Sequence, residues 1–134
     1  MKLFVGVDPG QKGAFSIVNE KSNLVDMWKM GDLSEMAGRL SVYQKSIHIL
    51  LIEKAYAMPA HGRQQGAQGM FNYGKGYGKL LGMFEILEIP FDEILPTTWM
   101  TKLLSPTRTA KPGSSKQRSK SIRTEIRTHL PIYN

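Results

Sequence analysis

Short apolar runs separated by turn residues open the chain. Leu3 to Val7 is apolar throughout, Ala14 to Val18 follows the turn Asp8-Pro9-Gly10, and Leu24 to Met30 follows the polar stretch from Asn19 to Asn23. Apolar runs of this length, bounded by Gly, Pro and Asn, are typical of strands joined by tight turns. The pattern therefore predicts three consecutive antiparallel strands.

The spacing of apolar residues then becomes helical. Between Asp32 and Ser46 they recur every three or four residues, and Asp32 or Ser34 is available as an N-cap. Ile47 to Ile52 is apolar at nearly every position. A run of this kind is typical of a strand buried on both faces at the centre of a helix-covered sheet.

The second half alternates loops with helical patterns. A loop from Ala55 to Gly69 precedes a long helix from about Gly69 to Leu87. The apolar stripe of this helix has three- and four-residue spacing and consists of Met70, Tyr73, Tyr77, Leu80, Phe84 and Leu87. The remaining predictions are a short strand at Phe91 to Leu95, a short helix at Pro96 to Leu104, a loop to Ser115 and a basic helix from there to Leu130.

Glycines recur every fourth residue on another side of the long helix, at Gly74, Gly78 and Gly82, with Gly76 between them. Each costs about 1 kcal/mol relative to alanine. We therefore expect a close backbone approach there, by the sheet, a second subunit or a DNA strand.

Length and composition exclude several classes of protein and several kinds of site. The chain has 134 residues, which is one domain by length and excludes a two-lobed kinase or actin-type ATPase. It has no cysteine, which excludes disulfides, thiolate catalysis and cysteine-bound zinc. No apolar run is long enough to span a membrane, and no signal layout is present. We expect an intracellular protein with no membrane partner.

The net charge of +7 lies at one end. Residues 1–100 hold ten Lys/Arg and ten Asp/Glu, whereas residues 101–134 hold eight Lys/Arg and one acid, Glu125. A basic segment attracts a polyanion by neutralising its phosphates and releasing counterions. Nucleic acid is therefore the predicted partner, the alternative being a solvated tail that aids solubility.

Two carboxylates end two apolar strands. Asp8 follows the first strand, and Glu53 follows Ile47 to Ile52. If these strands are parallel neighbours, both side chains emerge at the carboxyl edge of the sheet, where α/β domains form ligand sites. Two adjacent acids repel each other unless a divalent cation such as Mg²⁺ lies between them. The alternative makes Asp8 an ordinary turn residue and Glu53 a solvent-facing strand end.

Other candidate sites are weaker. The glycines from Gly74 to Gly78 have the wrong spacing for a nucleotide-binding loop, so no nucleotide cofactor is expected. The histidines His48, His61 and His129 show no zinc-pair spacing. Tyr56, three residues beyond Glu53, either stacks on a base of the predicted nucleic-acid partner or anchors the loop.

Taken together, the motifs resemble one family. Val5-Gly6-Val7-Asp8-Pro9-Gly10 with Gly13, and Leu51-Ile52-Glu53-Lys54, are similar to the RuvC family of Holliday-junction resolvases. The phage branch of that family also has a glycine-aromatic helix like Met70 to Gly78, and a segment like Ile94-Leu95-Pro96-Thr97-Thr98-Trp99 before a basic stretch. The resemblance covers most of the chain.

The resemblance implies an α/β, RNase H-like fold with a five-stranded mixed sheet flanked by helices. It also implies a homodimer that nicks four-way DNA junctions with Mg²⁺ or Mn²⁺, inside a bacterial host if the protein is phage-encoded. Asp8 and Glu53 would be the first two metal-binding and catalytic acids. The implied DNA-binding residues are Tyr56, Arg63, Lys75, Lys102, Arg108, Lys111, Lys116, Arg118 and Lys120.

The sequence departs from the family at its end. The family has two further acids on a C-terminal helix, whereas no Asp or Glu follows Glu125. We interpret residues 1–134 as a single RuvC-like nuclease domain that lacks this helix because the chain is incomplete, the alternative being a natural variant with an impaired site. Two other functions stay open: a non-catalytic junction-binding protein, and an RNase H-like nuclease that acts on RNA.

Overall fold

The computed structural model describes residues 1–55 and 66–98, all within one compact unit, Met1–Met100. Its elements, in chain order, are β1 (Leu3–Val7), β2 (Ala14–Asn19), β3 (Leu24–Lys29), α1 (Leu33–Tyr43), a 3-10 turn (Gln44–Ser46), β4 (Ile47–Glu53), α2 (Ala67–Ile86) and β5 (Phe91–Ile94). Pro96 to Thr98 are helical, and the rest of the predicted short helix lies outside the described residues, as do the last loop and the basic helix.

The five strands form one mixed sheet in the order β3-β2-β1-β4-β5. β1, β2 and β3 pair antiparallel, whereas β4 is parallel to both β1 and β5. The three-strand meander, the two helices and the parallel placement of β4 beside β1 are all confirmed. Asp32 occupies the N-cap of α1, although its side chain makes no capping hydrogen bond.

The hydrophobic core lies on one face of the sheet. Alternate strand residues such as Val5, Phe15 and Ile52 point into it and are almost fully buried. Both helices contribute to this same core, α1 through Met36 and α2 through Phe84. The described helices therefore cover one face of the sheet.

The prediction that β4 is buried on both faces is wrong. Leu50 and Ile52 are buried in the core, but Leu51 is 36% exposed and His48 is exposed on the other side. A register irregularity between Leu3 and Phe4 places His48 where the regular pairing is interrupted. A run of apolar residues does not show which face of a strand is covered by other elements and which is exposed.

The apolar stripe of α2 is buried only in part. Tyr77, Leu80, Met83 and Phe84 are buried, whereas every residue from Ala67 to Gly76 is exposed. The helix therefore packs against the core only from Tyr77 onward. Neither helix that the structure describes has the length and apolar character of a membrane-spanning helix.

The glycines of α2 do not mark a contact with the sheet. A Cβ built on Gly74, Gly76, Gly78 or Gly82 would meet nothing within 4 Å among the described residues. The sheet is thereby eliminated as the neighbour that these glycines favour. A second subunit and a DNA strand stay predictions.

Candidate active site

The register of the sheet places Asp8 and Glu53 side by side. Val7 of β1 pairs with Ile52 of β4, so the next residue on each of these parallel strands is one of the two acids. Neighbouring strands lie about 4.8 Å apart. Val7 and Ile52 point into the core, so their successors point to the opposite face, because side chains alternate along a strand.

A tight turn holds the backbone of Asp8. The Asp8 N–H donates to the Ala14 carbonyl at 3.0 Å, and the Gly13 N–H donates to the Gly10 carbonyl at 2.8 Å. A Cβ on Gly13 would lie 2.0 Å from the carbonyl oxygen of Asp8. Only glycine fits this turn, which explains Gly13 in the motif that follows β1.

The side chain of Asp8 takes part in the turn as well. Its Oδ1 accepts a hydrogen bond from the Gly10 N–H at 3.2 Å. The interpretation of Asp8 as a turn residue is thus correct, and it is compatible with a functional role of the same side chain. The carboxylate is exposed beside the half-buried Glu53, and one oxygen suffices for the turn.

Tyr73 is a site residue that sequence reasoning missed. The pKa of its phenol is raised by burial, and further by the negative charges of Glu53 and Asp8. Both carboxylates therefore lie close enough to Tyr73 to disfavour ionisation of its phenol. The sequence pattern assigned Tyr73 to the apolar stripe, but the residue is 43% exposed. No signal in the sequence distinguishes this tyrosine from the rest of the stripe, because its proximity to the acids depends on how α2 packs.

Tyr77 anchors the helix that carries Tyr73. Its hydroxyl forms a hydrogen bond with Oε1 of Glu93 on β5. Burial and this bond raise the pKa of Tyr77 far above its ordinary value, and a hydrogen bond with the Ala55 backbone opposes the rise. Because Tyr73 lies one helical turn before Tyr77, this anchor fixes its approach to the acids.

The donor set suits a hard divalent cation. Mg²⁺ and Mn²⁺ prefer carboxylate oxygens and water, and two adjacent carboxylates relieve their mutual repulsion by binding one. The described residues contain no group of three His, Asp or Glu side chains that could hold a metal. Within them, Asp8 and Glu53 fit as part of a metal site.

Lys75 is the one predicted DNA-binding residue within the described ranges. It is exposed on α2, two residues beyond Tyr73. The other predicted contacts lie outside the described residues: Tyr56, Arg63, Lys102, Arg108, Lys111, Lys116, Arg118 and Lys120. Their roles stay predictions.

A solved structure shares this architecture. The chain is similar to Thermus thermophilus RuvC in complex with a Holliday junction substrate, with a TM-score of 0.52 and 14% identity over 86% of this chain and 85% of that one. A second Thermus thermophilus RuvC structure gives a TM-score of 0.48 and 18% identity over 81% and 73%. No protein-family model and no curated protein matches. The first similarity confirms the RNase H-like fold.

Proposed function

We propose that the protein is a structure-selective endodeoxyribonuclease that resolves four-way DNA junctions by metal-dependent phosphodiester hydrolysis. The observation that carries the proposal is the register that sets Asp8 beside Glu53 at the carboxyl edge of parallel strands. The similarity to a RuvC bound to a Holliday junction supports branched DNA as the substrate. A homodimer and a phage origin belong to the same proposal.

Each part of the site has a distinct role in this function. Asp8 and Glu53 would hold Mg²⁺ or Mn²⁺, which when bound lowers the pKa of water and stabilises the departing 3′-oxygen. Asp8, which directly follows the central strand β1, is expected to matter most. Tyr56 would stack on a base near the junction centre. Phosphates would be bound by Arg63, Lys75, Lys102, Arg108, Lys111, Lys116, Arg118 and Lys120.

The test separates hydrolysis from binding. Asp8→Asn and Glu53→Gln remove charge with little change of shape, so each is expected to abolish nicking of a synthetic four-way junction while leaving affinity unchanged or higher. Nicking is measured on denaturing gels and affinity by fluorescence anisotropy. Glu85→Gln, which alters an exposed acid on α2, is the matched control and is expected to retain both.

Three outcomes would contradict the proposal. Equal loss of nicking and binding in Asp8→Asn would show that the acid is not purely catalytic. Junction binding by the unaltered protein without nicking in Mg²⁺ or Mn²⁺ would favour the non-catalytic junction-binding function. Preferential cleavage of RNA over the junction would favour the RNA nuclease.

A further inference from the structure

A lysine lies in the same row of the sheet as the two acids. Lys29, the last residue of β3, pairs with Ala14 of β2, and Ala14 lies opposite Asp8, to which its carbonyl is hydrogen-bonded. Side-by-side residues on neighbouring strands point to the same face. The row across the carboxyl edge is therefore Lys29, Ala14, Asp8 and Glu53.

Burial confirms which face this row occupies. Trp28, the residue before Lys29, is buried and stacks on Phe15 with the ring centroids 5.4 Å apart. Lys29 itself is exposed and thus points away from the core, as do the residues that follow Val7 and Ile52. Ala14 contributes only a methyl group between the lysine and the acids, so no bulky side chain of the row separates them.

We infer that Lys29 binds a phosphate of the same DNA strand whose scissile phosphate lies over Asp8 and Glu53. This assignment rests on the proposed function and adds a subsite to it on the β3 side of the acids. Lys29 and Asp8 are two strand spacings apart, or roughly 10 Å, a distance that spans between one and two steps from phosphate to phosphate along a DNA strand. The flexible stem of lysine adjusts to the remaining difference.

Charge explains why a cation is useful at this position. Asp8 and Glu53 repel a phosphate backbone whenever no metal is bound between them. A lysine in the same row attracts that backbone independently of the metal. Lys21 and Lys45 have the same chemistry but precede β3 and β4, at the opposite edge of the sheet. Lys45 is therefore a matched control for Lys29.

The first experiment measures junction affinity without divalent metal, in a chelator, between 50 and 200 mM salt. Losing one phosphate contact reduces the slope of log K against log salt by about 0.9, which corresponds to about eight-fold weaker binding at 0.1 M salt. We expect this change for Lys29→Gln, no loss for Lys29→Arg, and less than two-fold weakening for Lys45→Gln. Equal effects of Lys29→Gln and Lys45→Gln would overturn the inference.

A second measurement locates the contact on the DNA and does not depend on the variant's stability. Neutral methylphosphonate linkages are placed singly on either side of the cleavage position. A neutral linkage about one or two nucleotides from that position is expected to weaken binding by the unaltered protein, and to have no further effect on Lys29→Gln. If no such linkage weakens the unaltered protein, the subsite does not exist.

These outcomes separate the two proposals. If the unaltered protein nicks the junction, and Lys29→Gln and Lys45→Gln bind it with equal affinity, the proposed nuclease function is retained and only the Lys29 subsite is excluded. Failure of the unaltered protein to bind any DNA would overturn both.

Discussion

At the scale of single residues, the Tyr73 hydroxyl is the group near Asp8 and Glu53 that the sequence did not predict. A tyrosine phenol is protonated at neutral pH, and burial, followed by the charges of Glu53 and Asp8, raises the pKa of Tyr73 further. It can therefore donate a hydrogen bond to a carboxylate or to a phosphate oxygen beside it. We therefore predict that the Tyr73 hydroxyl acts as a donor that positions groups at the proposed site.

Replacing Tyr73 by Phe tests this role. The substitution keeps the ring and removes only the donor, so we expect nicking of a four-way junction to slow by about ten-fold, as for the loss of one hydrogen bond. The free energy of unfolding should change by less than about 0.5 kcal/mol because the ring stays in place and the residue is 43% exposed.

The control is Tyr43→Phe. It removes a hydroxyl that donates to Asp26 at 2.8 Å, and should lower stability without slowing nicking. Equal nicking rates for Tyr73→Phe and the unaltered protein would exclude a positioning role for the Tyr73 hydroxyl.

Tyr77 makes stability depend on alkaline pH. The phenol ionises near pH 10 in the unfolded chain, whereas the folded protein holds the pKa of Tyr77 above that value through burial and Glu93. The resulting stabilisation is complete below pH 10 and is lost as the pH rises above it, because the unfolded state then releases its proton first.

Tyr77→Phe should therefore cost about 1.5–3 kcal/mol at neutral pH, the value of a hydrogen bond to a charged group. The difference from the unaltered protein should shrink between pH 10 and pH 11. Urea unfolding at both ends of this range measures it. A difference that grows with pH would contradict the direction of the shift.

At the scale of elements, the turn between β1 and β2 sets the position of Asp8. Gly13→Ala would place a Cβ 2.0 Å from a backbone oxygen, so the turn must open. We expect a loss of about 1–3 kcal/mol in the free energy of unfolding, together with weaker nicking, because Asp8 moves with the turn.

Gly38→Ala is the matched control for this turn. It lies within α1, and an added Cβ there meets nothing within 4 Å. Alanine favours a helix over glycine by about 1 kcal/mol, so this variant should be slightly more stable and fully active. Thermal unfolding of both variants measures the contrast. Equal effects of the two substitutions would show that the turn is not tightly constrained.

The order and type of these elements could be predicted because each is encoded locally. Turn residues bound the strands, and three- and four-residue spacing marks the helices. Which face of an element is buried is not local information. Leu51 and Tyr73 both belong to apolar patterns and yet are substantially exposed, since burial depends on which elements pack above them.

The candidate site, like the fold, could be predicted only where its residues are marked by local sequence. Asp8 and Glu53 could be found because each follows a strand, and only the assumption that the strands are parallel neighbours was needed. Tyr73 and Lys29 could not be found, because their proximity to the acids depends on the anchoring of α2 and on the register of β3, neither of which a single sequence specifies.

At the scale of the whole molecule, charge and chemistry occupy different parts of the chain. Residues 1–100 carry equal numbers of basic and acidic side chains and contain the acid pair, whereas residues 101–134 carry the whole excess of +7. If the protein binds DNA as proposed, most of its affinity comes from the second part and its chemistry from the first.

This division predicts how binding responds to salt. Neutralising Lys116, Arg118 and Lys120 together with glutamine should reduce the slope of log K against log salt by about 2.7, because each lost phosphate contact contributes about 0.9. The control replaces Lys2, Lys21 and Lys45, which lie at the edge of the sheet opposite the acids, and should leave the slope nearly unchanged. Fluorescence anisotropy with a four-way junction measures both. Equal slopes for the two triple variants would show that the basic excess of residues 101–134 does not bind the DNA backbone. The affinity would then have to come from residues around Asp8 and Glu53.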